Sequence, residues 1–113
     1  MKKIECIIQP YNLDTVAENL AVDGVVGMTV TEAKGFGVQK GFTRGETGAP
    51  GQYRFHPKMK VEMVVSDDDV EKVVASLRKA LEKGRVGQGK IFVTGVDDAV
   101  RTRTGERGEA AIK

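Results

Sequence analysis

Three basic side chains and a run of glycines carry the clearest chemistry in this sequence. Gly84-Arg85-Val86-Gly87-Gln88-Gly89-Lys90 is a glycine-rich turn that closes on a lysine. Glycines let backbone N–H groups approach phosphate oxygens, and the lysine adds a point charge. A Walker A loop is excluded, because this turn leads from a helix into a strand and not from a strand into a helix. A helix stop followed by a tight turn accounts for the glycines equally well. Arg101 and Arg103 stand two apart on an extended pattern over 100–104, which would put both guanidinium groups on one face. With Lys90 they make an excess of positive charge suited to a di- or triphosphate. A charged edge strand that guards against aggregation would read the same way. The co-occurrence with Gly35-Phe36-Gly37 favours an anion site.

Other reactive residues assemble nothing. His56 is the sole histidine and has no cysteine at metal-ligand spacing, which argues against zinc. Cys6, the sole cysteine, sits on the apolar side of a strand pattern and reads as a small core residue. It also rules out an internal disulfide framework. No Ser/His/Asp set or carboxylate pair is evident, so a regulatory binding protein is favoured over an enzyme. A slow nucleotide hydrolase, with weak ATPase activity, is the competing class.

The elements that position these residues follow from periodicity. Residues 2–9 alternate as a strand that Pro10 ends. Asn12 is placed to cap a helix with Leu13, Val16, Ala17 and Leu20 on one face, closed by Gly24. Residues 25–34 and 58–65 read as the second and third strands. Ser66 is placed to cap a second helix, with Asp67, Asp68 and Asp69 in the first turn where the macrodipole favours negative charge. Its buried stripe is Val70, Val73, Val74, Leu77 and Leu81, and Gly84 stops it. A strand over 90–94 and the extended piece over 100–104 complete the pattern, and residues 105–113 read as a loosely ordered, flexible tail. Between the second and third strands, residues 39–57 carry no helical or strand period and are rich in glycine. So long a connection in a compact domain points to a mobile functional loop.

The order β-α-β, long loop, β-α-β is the split βαβ pattern. It predicts an α+β, ferredoxin-like (βαββαβ) antiparallel sheet with two helices on one face and a long exposed loop after the second strand. The chain of 113 residues is read as a single domain, 1–113. Ile7, Val64 and the run Ile91-Phe92-Val93 read as apolar groups on the face the helices leave open. That predicts a closed homo-oligomer. A net charge of +2 gives no reason to expect nucleic acid, and 40% hydrophobic with 30% charged residues is ordinary for a globular domain. An RNA-binding reading lacks an exposed aromatic pair for base stacking. The N-terminal apolar run is interrupted by Glu5 and Gln9 and is too short for a signal peptide or a membrane span, which favours a cytoplasmic protein without direct membrane insertion.

The segments MKKIECIIQPYNLD, GMTVTEAKGFG, GKIFV and AVRTRTGERGE closely resemble the PII signal-transduction proteins, and the resemblance covers nearly the whole chain. It implies a homotrimer with an adenine nucleotide (ADP, AMP or ATP) in each cleft between subunits. The implied contacts are Ile7, Thr29, Gly35, Phe36, Gly37, Val38, Glu62, Val64, Gly87, Gln88, Gly89, Lys90, Arg101 and Arg103, with Lys90 and the two arginines on the phosphates. A co-effector, bicarbonate or 2-oxoglutarate, would lie near Gln39, Lys40, Gly41 and Lys58, and Gln39 would help bind Mg²⁺ with ATP. The loop 39–57 would dock on a membrane transporter or a cytosolic enzyme.

Three positions depart from the family pattern. The uridylylated tyrosine is replaced by Gly51, which has no hydroxyl to modify. An arginine directed at the terminal phosphate is replaced by Val38, which implies weaker discrimination in favour of ATP. Gln88 replaces a common aspartate. These departures point to a divergent branch tied to carbon metabolism, such as the PII-like proteins associated with carboxysomes or bicarbonate transport. The alternative is a conventional nitrogen-sensing protein that answers to Mg-ATP and 2-oxoglutarate without uridylylation.

Overall fold

The computed structural model describes residues 1–36, 54–82 and 89–113. Gly84, expected to stop the second helix, and most of the loop 39–57 lie outside them; His56 and Pro57, expected in that loop, already pair in the third strand. The strands β1 (Lys2–Ile8), β2 (Thr29–Gly35), β3 (His56–Val65) and β4 (Ile91–Gly95) form one antiparallel sheet in the order β2-β3-β1-β4. The helices α1 (Leu13–Val22) and α2 (Val70–Leu81) pack on one face, as the βαββαβ reading requires.

Alternation decides which side of the sheet is buried. Ile4, Cys6 and Ile8 of β1 and Val61, Met63 and Val65 of β3 meet Val16 and Leu20 of α1 and Val73 and Leu77 of α2 in a single aliphatic core. Leu13, Val70 and Leu81 pack against its margin. Helix α1 ends in a Schellman motif: Gly24, at φ +82°, donates its N–H to Ala21, and the Val25 N–H bonds the Leu20 carbonyl. The Val25 N–H is thereby spent on the helix end. The expected second strand over 25–34 therefore loses Val25 to the helix end, and it pairs only over Thr29–Gly35. Val25 and Met28 still pack against the core.

Four further expectations are corrected. Both helices begin with a 3-10 turn, Pro10–Asn12 and Asp67–Asp69, and neither Asn12 nor Ser66 makes a side-chain cap hydrogen bond. The Ser66 hydroxyl instead donates to the Glu109 carboxylate. The piece over 100–104 is not a strand: Val100 forms an isolated bridge with Arg107, the Arg101 N–H bonds Glu106 at 2.9 Å, and the Gly105 N–H turns back to Arg101 at 2.8 Å. The tail, read as loosely ordered, forms a short helix, α3 (Glu109–Ile112), behind an Asp98–Arg107 ion pair of 2.6 Å.

The open sheet face also differs from its apolar reading. Ile91 and Val93 register opposite Cys6 and Ile4, on the helix side, and only Phe92 of that run shares a row with Glu5 on the open side. A three-residue apolar run cannot reveal its phase without its partner strand. Lys3, Glu5, Lys60 and Glu62 lie on the open face with Ile7 and Val64, joined by ion pairs Lys3–Glu62 (2.7 Å) and Lys60–Glu5 (3.7 Å). The face is therefore mixed, with charges neutralised in pairs.

Candidate functional site

Gly37, Val38, Gln39, Lys40, Gly41, Gly87 and Gln88 lie outside the described residues. The other candidates spread along the sheet in two groups that adjoin at its middle, where Glu62 lies two residues along β3 from the partner of Ile7. At the end where β2 leaves and β3 returns stand Gly35, paired with His56, and Phe36 and Lys58; Ile7 lies beside them near the end of β1. Gly89 joins this group by an unusually close approach. Its φ is +108°, and a Cβ there would lie 2.4 Å from the Ile7 carbonyl oxygen. Only glycine fits there, because the backbone at Gly89 is pressed against β1. Lys90, exposed, follows it directly and leads into Ile91 opposite Cys6.

The second group lies towards the other end. Thr29 pairs with Glu62, and Val64 is two residues further along β3. Val64 lines a cavity of about 260 Å³ together with Val25, Val26, Val73, Ile112 and Lys113. The chain beyond β4 remains at this end, since the Val96 N–H bonds the Met1 carbonyl at 3.1 Å. The Arg101 guanidinium reaches the Lys113 carbonyl, 2.5 Å from Nη2, beside that cavity. Arg103, exposed, sits on the turn between Arg101 and Glu106.

Lys58 and Val64 are six strand steps apart on β3, about 20 Å at the usual rise. A single chain therefore does not bring Lys90 together with Arg101 and Arg103. The local cluster read from the sequence is corrected: its members are close in sequence and divided by the length of the sheet. The same-face argument for the two arginines fails with the strand on which it rested.

Electrostatics sharpen the second group. The Lys3 ammonium, hydrogen-bonded to Glu62, holds that carboxyl below its ordinary range, and Glu62 in turn raises Lys3. Burial pushes the Cys6 thiol up to about 11, in keeping with a core residue and not a nucleophile. Among the described residues no group of three His, Cys, Asp or Glu could hold a metal ion. No described helix is long and apolar enough to cross a membrane. Phe36 and Phe55 form an exposed edge-to-face pair, centroids 5.0 Å apart at 85°. The sequence alone did not show this pair. Packed on each other, the rings cap the root of the loop and do not spread as a stacking platform.

A four-stranded antiparallel sheet with two helices on one face, a long β2–β3 connection and Gly89 pressed on β1 defines a small α+β domain of the ferredoxin-like class. The comparisons give its family. The model described as nitrogen regulatory protein P-II matches residues 1–106. Nitrogen regulatory protein P-II of Mesorhizobium japonicum is 53% identical over 112 residues, spanning 99% of this chain and all of the relative. Those of Bradyrhizobium diazoefficiens and Azospirillum brasilense are 52% and 53% identical over the same span. The chain belongs to the nitrogen regulatory protein P-II family, a family of regulatory signalling proteins.

Proposed function

We propose that this protein is a cytoplasmic homotrimeric regulator that reads adenine nucleotides in the clefts between subunits. The observation that carries this reading is the separation of Lys90 from Arg101 along one sheet. Basic residues that serve one polyphosphate yet lie at opposite ends of a subunit meet only across a subunit boundary. Ile7, Gly35, Phe36, Gly37, Val38 and the Gly87–Lys90 turn would then come from one subunit. Thr29, Glu62, Val64, Arg101 and Arg103 would come from the next. A cyclic trimer repeats that junction three times.

ADP, AMP and ATP are the nucleotides proposed, with Val38 offering no charge to a γ-phosphate. The co-effector would lie near Gln39, Lys40, Gly41 and Lys58. The names of the relatives and the retention of Gln39 and Lys58 favour a nitrogen-sensing role, with Mg-ATP and 2-oxoglutarate as the inputs. Val38 and Gly51 favour a second reading, an adenylate–bicarbonate sensor in carbon metabolism. In either case residues 39–57 would carry the signal to a transporter or a cytosolic enzyme, and regulation, not turnover, is the output.

Complementation between subunits tests the reading. Lys90→Ala and Arg101→Ala should each abolish phosphate-dependent binding of ADP in a homogeneous trimer. Co-refolding the two variants should restore some sites, because one junction of a mixed trimer unites an intact Lys90 with an intact Arg101. Titration calorimetry that finds no recovery in the mixed protein would refute a shared site.

A further inference from the structure

The Arg101 side chain is already engaged within its own chain. Its Nη2 lies 2.5 Å from the Lys113 carbonyl oxygen and 3.4 Å from those of Ala110 and Ala111, while Nε faces the Glu106 carboxylate at 3.7 Å. The last carbonyls of a helix have no partners inside it and are ready acceptors. Here the Ala110 and Ala111 carbonyls of α3 and the main-chain oxygen of Lys113 just past it converge on one guanidinium, so the turn presents to Arg101 a fan of oxygens like that of an anion. A bidentate phosphate would need the same fork of donors. At its other end α3 is tied by the Ser66–Glu109 hydrogen bond, and Ile112 walls the cavity at Val64.

We propose that the C-terminal turn is a built-in competitor for Arg101, seated when the phosphate position is empty and displaced when a nucleotide polyphosphate arrives. The inference rests on the reading of Arg101 as a phosphate ligand. It adds that ligand binding frees α3 while Glu109 remains as its hinge. Nucleotide occupancy is thereby converted into a change at the C-terminus, away from the β2–β3 loop. The neighbouring Ile112 would leave the cavity wall with the turn, opening the space beside Val64.

The test compares the full chain with two variants, one ending at Gly108 and one carrying Ala111→Pro, which removes the N–H that Ala111 donates to Gly108. Removing a competing charge-assisted contact should tighten ADP binding by about tenfold in both variants. Amide exchange over 109–113 should accelerate in the full chain when ADP is added. It should accelerate without nucleotide in Arg101→Gln. Unchanged or weaker ADP binding in both variants, with the full chain still binding, would overturn the competitor and leave the nucleotide site standing. No ADP binding by the full chain or either variant would remove the nucleotide reading itself, and the competitor with it. Exchange that does not respond to Arg101→Gln would show that the guanidinium does not hold the turn, and would also overturn the proposal.

Discussion

Glu5 and Glu62 stand directly opposite each other on β1 and β3, two carboxylates in one cross-strand pair. Like charges in that position repel. The sheet tolerates them because each has a lysine on the diagonal, Lys3 for Glu62 and Lys60 for Glu5. A candidate ligand residue is thus fixed in place by a four-charge lattice on the open face.

Removing Lys3 should expose the repulsion. Glu62 has a lowered folded value, so its contribution to stability is present above the ordinary carboxyl value of 4.5 and lost as pH falls through the lowered one. Lys3 has a raised value, so its contribution is present below 10.5 and lost as pH rises through the raised one. The pair therefore stabilises most between those limits. Lys3→Met should lower the urea midpoint at pH 7, and the deficit should shrink at pH 3. An equal deficit at both pH values would mean that lost packing, not charge, was responsible.

Gly89→Ala should damage both fold and binding. The new methyl would sit 2.4 Å from the Ile7 carbonyl oxygen on a backbone at φ +108°, so strain and clash add. A loss of about 2 kcal/mol or more in chemical denaturation is expected, with ADP binding falling as Lys90 shifts. Gly105, at φ +77° with open space around it, should lose less on the same substitution.

Cys6 should be silent towards thiol reagents in the native state. It is 1% exposed and its thiol is raised to about 11, so scarcely any thiolate exists at pH 8. Ellman's reagent should report one thiol only after unfolding. Rapid labelling of the folded protein would contradict the burial.

Val38→Arg should restore a donor for a terminal phosphate. The expected result is about a tenfold gain for ATP over ADP, the value of one charge-assisted hydrogen bond. Calorimetry with each nucleotide, repeated with 2-oxoglutarate and with bicarbonate, would also decide between the two co-effectors. A 2-oxoglutarate effect that requires both ATP and Lys58 would support the nitrogen reading.

The sheet was legible because its central strands alternate cleanly: Ile4, Cys6 and Ile8, and Val61, Met63 and Val65, show their phase without a partner. The stripe through Val73 and Leu77 was equally plain. What local pattern could not supply was pairing. The phase of Ile91–Val93 depends on Cys6, Val25 is drawn to the helix end by a bond to Leu20, and Ser66 turned to a residue far along the chain. The site suffered in the same way. Its residue types were recognisable, but their spread along the sheet in two groups follows from register, which no spacing in the sequence reports.

The β2–β3 ladder runs unbroken from Thr29 opposite Glu62 to Gly35 opposite His56. Its alignment is thus secured by the strands themselves, with no help needed from whatever joins them. The seven rungs of the ladder all lie outside residues 36–55, so a change of sequence between Phe36 and Phe55 removes none of them. The register of the sheet is thus independent of the sequence that joins the two strands, and a change there can alter what the connection contacts while the four strands stay aligned.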